Sequence, residues 1–514
     1  MQTSYTKNFL KIYLWQGISL ILNFVSMFIV VPYLTSDPII YGIYTVCISI
    51  SIFLSYADLG FLGAGQKYAA EYFAQDQLDE EIKQIGFTIF ILLLFLLILS
   101  AVFFFLSVNP ELIIKDLVPG KQESTASALF LVLALFTPVT LLQRLLQMIF
   151  GIRLEEYIVQ RTNIGASLVK ILSVLWFFRK GEYNIIGYFL FTQIINLLAA
   201  TSTLLIAKVR YNYDFIALLK SIHFDIKIFR KTKNLAFTSL YLTFTWILYY
   251  ELDPAAIGKL LGANQVAIFA IGLTIMSFFR SILGILFSPF NARFNHFIGN
   301  HDEEGLKSLF ITVTTMMAPL IVIPVITICL LAKPLILSWV GDHYSGSVTF
   351  AQFLILCNVF AFITYPASFL LMAQERIKEM NIVNTLIPLI YWTGILLSYS
   401  TIGLNAFAFF KLVAFSISAI VYAFIIQRYL DLSLSHAIQR FVRPVLLPIV
   451  FLIVTNFFIT DYLPIEKSKT NLAIVAAASV MLIILSYLLA YLSSSYFKDQ
   501  SRKIFALLKM DYAK

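Results

Sequence analysis

Six ionisable side chains lie inside or at the ends of long apolar runs: Lys170, Arg280, Lys411, Asp58, Glu251 and Asp253. Charge is expensive in such surroundings and is kept where it handles an ion or a polar cargo. Arg280 has a planar fork that grips two oxygens of an oxyanion at once, and its charge does not titrate away. Lys170 sits near the middle of its run, where a long side chain has least chance of reaching water. Lys411 is about seven residues from the outer end of its run, near enough for its side chain to reach the interface. These three cations form the expected substrate-binding set. Asp58, Glu251 and Asp253 are candidates for a gate or for coupling to protons or sodium. Structural roles stay open for each: an ion pair for Arg280, a helix cap for Asp58, and solvated helix ends for Glu251 and Asp253.

No other chemistry stands out. There is no GxxxxGK[ST] loop for nucleotide phosphates and no HExxH. His223, His296, His301, His343 and His436 all fall in expected loops, with no ligand spacing, so neither a metal nor a cofactor is expected. Cys47, Cys329 and Cys357 lie far apart in apolar stretches and read as small buried hydrophobes.

The elements that position these residues follow from composition. Of 514 residues, 60% are apolar and 13% charged, against about 45–50% and about 25% in soluble domains. A mean hydropathy of +0.86 leaves too little polar surface to coat soluble domains of this size. The chain is therefore read as an all-α polytopic membrane protein, which excludes soluble enzymes, nucleic-acid binders and secreted scaffolds. A span needs about 20 apolar residues. Fourteen such stretches occur, near 10–34, 40–64, 84–108, 125–150, 157–179, 183–207, 234–252, 264–289, 308–331, 347–373, 381–402, 404–426, 441–461 and 470–493. The first is too long, and lacks the cleavage site, for a signal peptide.

The net charge of +9 follows the positive-inside bias rather than nucleic-acid binding. Most of the Lys and Arg residues fall in loops of one side, which places both termini in the cytoplasm. The chain also repeats itself. Asp79-Glu80-Glu81-Ile82-Lys83 after the second span is echoed by Asp302-Glu303-Glu304-Gly305-Leu306-Lys307 after the eighth. Tyr41-Gly42-Ile43-Tyr44 is echoed by Val266-Ala267-Ile268-Phe269 at the same offset of about 225 residues. Six spans per copy give parallel repeats about an axis along the membrane normal, a transporter signature. The expected division is a first six-helix lobe over 1–207, a linker over 208–233, a second six-helix lobe over 234–427, and two further spans with a tail over 428–514. The linker is basic and aromatic with roughly helical spacing, as for an amphipathic helix on the inner membrane surface. Pro138, Pro319, Pro324, Pro366, Pro388 and Pro448 fall inside spans, as kinks or as hinges.

Tyr41-Gly42-Ile43-Tyr44, Asp58-Leu59-Gly60-Phe61 and Gln66-Lys67-Tyr68-Ala69 together resemble the opening of Wzx-type oligosaccharide flippases. The stretch from Asp253 to Gly272 is similar to the start of their second half, and Pro334-Leu335-Ile336-Leu337 followed by Gly341 and Tyr344 also fits. The resemblance covers the chain in length, span count and repeat. It implies membership of the multidrug, oligosaccharidyl-lipid and polysaccharide (MOP) exporter superfamily, with two six-helix lobes plus two C-terminal helices. It also implies a function: moving a polyprenyl-diphosphate-linked glycan, an O-antigen or capsule repeat unit, to the outer leaflet of a bacterial plasma (inner) membrane. The glycan lipid, the surrounding membrane lipids, a polysaccharide polymerase and a chain-length regulator are the implied partners. Spans one, two, seven and eight line the lobe interface in such folds. The repeat offset sets Arg280 opposite Ser55, one turn from Asp58, and suggests an Asp58–Arg280 gate.

Rival readings are a multidrug antiporter of the same superfamily, a lipid-linked peptidoglycan precursor flippase, and a membrane glycosyltransferase or polymerase. The last lacks here the large outer loop such enzymes carry, so a non-enzyme is expected.

Overall fold

The computed structural model describes residues 2–55, 60–179, 182–299, 301–430 and 438–502. Every regular element among them is helical, as the composition requires. Among the described residues, eleven helices are long and apolar enough to cross a membrane, and the described parts of the other three expected spans are largely helical as well. The chain is a multi-pass membrane protein. It divides into two compact units, Met1–Ala267 and Ile268–Lys514.

In the first unit the helices are α1 (Gln2–Leu34), α2 (Pro38–Ser55), α3 (Phe61–Ala74), α4 (Leu78–Val108), α5 (Lys121–Ile152), α6 (Glu156–Phe177) and α7 (Ile185–Tyr211). They are followed by α8 (Phe215–Lys220), α9 (Ile226–Tyr250), α10 (Asp253–Leu261) and the start of α11 (Ala263–Gly299). The α4–α5 and α6–α7 pairs are antiparallel neighbours; α5 also packs on α2, α6 and α7, and α3 on α9. The expected second span is two helices, with Gly60 before α3 at φ 80°. A β-carbon at Gly60 would collide with the Ala236 carbonyl of α9, so glycine serves both the left-handed backbone and the close approach. Gly42 likewise lets α2 meet the backbone of Ala263.

The segment 208–233 is not one surface helix. α7 continues to Tyr211 and stops at Asn212, which is left-handed. Asp214 and Asp225 then cap α8 and α9 through the N–H groups of Ile216 and Ala217, and of Lys227 and Ile228. Phe224 packs against Phe87, Phe90 and Phe229 inside the unit. The aromatic residues thus grip protein as well as facing lipid. α9 sits with this unit, and the contact boundary falls later than the repeat boundary at 234.

The second unit holds the rest of α11, then α12 (Glu303–Leu330), α13 (Ala332–Val340), α14 (Ser347–Leu356), α15 (Ala361–Ala373), α16 (Ile377–Ile402), α17 (Asn405–Leu430), α18 (Arg443–Ile459) and α19 (Lys469–Ser493). α12 is its centre, touched by α14, α15, α18 and α19. Ile323, Leu331, Leu452, Leu482 and Ala490 form one cluster that fixes the last two helices on α12. α11 runs far beyond its expected end, so His296 lies in a helix rather than in a loop.

Two in-span prolines have their freed carbonyls answered from a neighbour. Pro138 lacks the N–H that would bind the Ala134 carbonyl, and Ser100 Oγ of α4 donates to that oxygen at 2.9 Å. Pro324 similarly frees Leu320, whose carbonyl accepts from Tyr487 Oη of α19 at 3.1 Å.

Candidate functional site

α6 is too polar to count among the eleven apolar helices, and its polar residues fall on one face. Gln160, Asn163, Ser167 and Lys170 follow spacings of three and four residues. Gln193, Asn196, Ala200 and Thr203 repeat the same spacing on α7, and Thr140, Gln143 and Gln147 do so on α5. These stripes converge on a cavity of about 530 Å³ within the first unit, with Ser51 and Leu54 of α2 completing its wall.

Lys170 Nζ donates to Asn196 Oδ1 at 3.1 Å, and Asn196 Nδ2 donates to Gln193 Oε1 at 3.4 Å. No carboxylate among the described residues pairs with Lys170. Towards the other end of α6, Arg144 donates to Gln147 Oε1 at 3.0 Å, and Glu156 accepts from Gln66. Thr162 and Thr203 share a hydroxyl hydrogen bond of 2.8 Å that ties α6 to α7 at the cavity wall. The lining is therefore rich in amides that both donate and accept, with two cations and one carboxylate. It suits a hydroxylated, anionic cargo: amides match hydroxyls, and the lysine supplies the charge that an amide cannot.

The other candidates are dispersed. Arg280 is half-buried on α11 in the second unit, and its charge reaches the hydroxyl of Tyr365, whose ring stacks on Phe287. Lys411 does not snorkel: it is 1% exposed, with its ammonium 5.0 Å from the centre of the Tyr391 ring. Tight packing of α16 on α17 closes over it. Asp58 lies outside the described residues, and with it the Asp58–Arg280 gate. Glu251 ends α9 half-buried, and Asp253 is fully buried as the first residue of α10, rather than solvated. The cause is α10 itself, which folds back on α2 so that Gly258 meets Val46. Neither acid lines the cavity.

A second charged cluster was missed from sequence. Arg153 makes a bidentate pair with Glu81 at 2.8 and 3.2 Å and faces the rings of Phe73, Tyr211 and Tyr213. Beside it, Arg210 holds Glu155 through two hydrogen bonds of 2.6 Å. That guanidinium, with help from the Tyr211 hydroxyl, keeps the Glu155 carboxyl below the usual carboxylate range against the opposing effect of burial. Burial, reinforced by the nearby Glu81 charge, pushes the Tyr213 hydroxyl up.

No family model and no curated protein sequence matches the chain. Solved structures do share its fold. The lipid II flippase MurJ in an inward closed conformation is 14% identical, with a TM-score of 0.64 over 96% of this chain and 99% of its own. An inward-facing multidrug resistance MATE transporter of the MOP superfamily is 12% identical, with a TM-score of 0.62 over 80% and 94%. A MOP superfamily transporter from Pyrococcus furiosus, described as having a binding pocket of reversed polarity, is 15% identical, with a TM-score of 0.52 over 82% and 94%. At these identities the likeness is one of fold. The chain has the architecture of MOP superfamily transporters.

Proposed function

We propose that the protein is a Wzx-type flippase. It carries polyprenyl-diphosphate-linked oligosaccharide repeat units, of O-antigen or capsule type, from the cytoplasmic to the outer leaflet of a bacterial plasma membrane by alternating access. The observation that carries this reading is Lys170: a cation on a helix with a polar stripe, set in an amide-lined cavity and with no carboxylate partner among the described residues. A glycan presents hydroxyls and an anion together. The lipid tail stays in the bilayer, so the protein has only the polar part to shelter. Arg280 is the proposed phosphate contact of the second unit, and Lys411, enclosed against Tyr391, is a structural residue. The basic loops set both termini in the cytoplasm. A polymerase and a chain-length regulator are the partners that would consume the product.

A multidrug cation antiporter fits less well, because Lys170 lines the cavity with no carboxylate partner among the described residues and repels cations. A lipid-linked peptidoglycan precursor flippase is the reading favoured by the near-complete coverage of MurJ, whose named cargo is lipid II. Both flippase readings use the same chemistry and differ in cargo. Mass spectrometry of polyprenyl-diphosphate lipids in a strain lacking the chain separates them. A complete unexported repeat unit should accumulate, reversed by wild type and not by Lys170→Ala. Accumulated peptidoglycan precursor would select the second reading. Sensitivity to cationic drugs without lipid accumulation would overturn both.

A further inference from the structure

A second cavity of about 690 Å³ lies in the first unit, separate from the amide-lined one. Its walls are Leu141, Leu142 and Leu145 of α5, Leu204 of α7, and Leu218 and Leu219 of α8. Its polar lining residues, Lys208, Asn212, Tyr213 and Asp214, all come from the join of α7 and α8, which forms a polar rim. A groove lined by leucines, with a single cation where α7 meets α8, has the division of a phospholipid. A glycan or a free anion would leave its hydrogen bonds unanswered against leucine.

We propose that this groove holds an acyl chain of an anionic phospholipid from the surrounding bilayer, with the lipid phosphate against Lys208. Two features commit the site to that occupant. Lys208 is exposed and makes no ion pair among the described residues, whereas its neighbour Arg210 is held by Glu155. The one carboxylate at the rim, Asp214, is engaged with the N–H groups of Ile216 and Ala217. α8 also turns Ile216 and Leu219 outward, each 69% exposed, so the rim lies where hydrocarbon meets headgroups. Basic pockets between membrane helices at that depth take anionic headgroups. The bound lipid would brace the short α8 against α4, α5 and α7, and its place does not depend on which cargo the transporter carries.

The test uses the full-length purified protein in mild detergent, mixed with phosphatidylglycerol or phosphatidylcholine and read by native mass spectrometry. Wild type should retain phosphatidylglycerol in preference. Leu142→Trp, which fills the groove, should lose it. Lys208→Glu should lower its retention about fivefold, the worth of one basic residue near an anionic lipid, without changing phosphatidylcholine. Lys208→Arg should behave as wild type. If Leu142→Trp fails to fold by size exclusion, Leu204→Trp on the α7 wall takes its place. Equal retention of the two lipids, or wild-type retention in a groove-filled variant, overturns the proposal. So does displacement of phosphatidylglycerol from wild type by polyprenyl phosphate, since the groove would then hold the tail of the cargo.

Discussion

Arg153, just past the end of α5, and Lys170, on α6, belong to the same unit, and their surroundings are opposite. Arg153 has both guanidinium nitrogens on Glu81, three aromatic rings around it and a side chain 9% exposed, with Glu81 at 1%. Lys170 has one amide oxygen and an open cavity. A charge with a structural task is neutralised at close range and sealed, because an unpaired ion in a dry place is costly. Under the proposed function, Lys170 is kept for cargo, and it is left short of neutral, with neighbours that tolerate it and leave space. The difference separates a clamp from a site without reference to any relative.

Four experiments probe that contrast. The largest effect should come from Glu81→Ala, which strands Arg153 and should cost about 3–5 kcal/mol, seen as a lowered unfolding midpoint in detergent and poor recovery. Lys170→Ala should do the reverse: the midpoint stays at wild type, while transport of lipid-linked glycan into vesicles falls about tenfold to a hundredfold, as for loss of a hydrogen bond to a charged group of about 1.5–3 kcal/mol. Matching losses of stability in both variants would erase the distinction. Asp214→Ala should cost about 1 kcal/mol through the lost cap of α8, leaving transport intact. The smallest effect concerns Glu155. Its folded pKa is depressed, so its pair with Arg210 stabilises above the unfolded value of about 4.3, and that stability is lost as pH falls through the folded value. The wild-type midpoint should hold above about pH 4.3 and fall as pH drops from there through the folded value; Glu155→Gln should flatten that fall.

Much of this was legible in the sequence. Among the described residues, helices stand at all fourteen expected positions, and Lys170 was visible as a cation in an apolar run. Its setting was not, because the partners are amides: Gln160, Asn163, Gln193 and Asn196 carry no charge and dilute hydropathy only slightly. Their shared spacing of three and four was the available signal. Arg153 and Glu81 looked like ordinary loop and helix-start charges, and only the packing of α4 on α5 brings them together. Asp253 looked solvated because it follows a span, yet the helix it opens folds inward. The linker hid its breaks behind regularly spaced aromatic residues, although Asp214 and Asp225 are residues of the kind that start helices.

The answered prolines bear on how such a chain evolves. Ser100 has a reason to carry a hydroxyl only while Pro138 leaves the Ala134 carbonyl free, and Tyr487 stands in the same relation to Pro324. Replacing the proline restores the helical N–H and makes its partner dispensable; replacing the partner alone leaves a bare oxygen in hydrocarbon. Among homologues, positions 100 and 138, and positions 324 and 487, should therefore vary together, with the proline lost first and the hydroxyl after it. The same linkage makes these bends poor pivots, since each is fastened to a second helix that would have to travel with it.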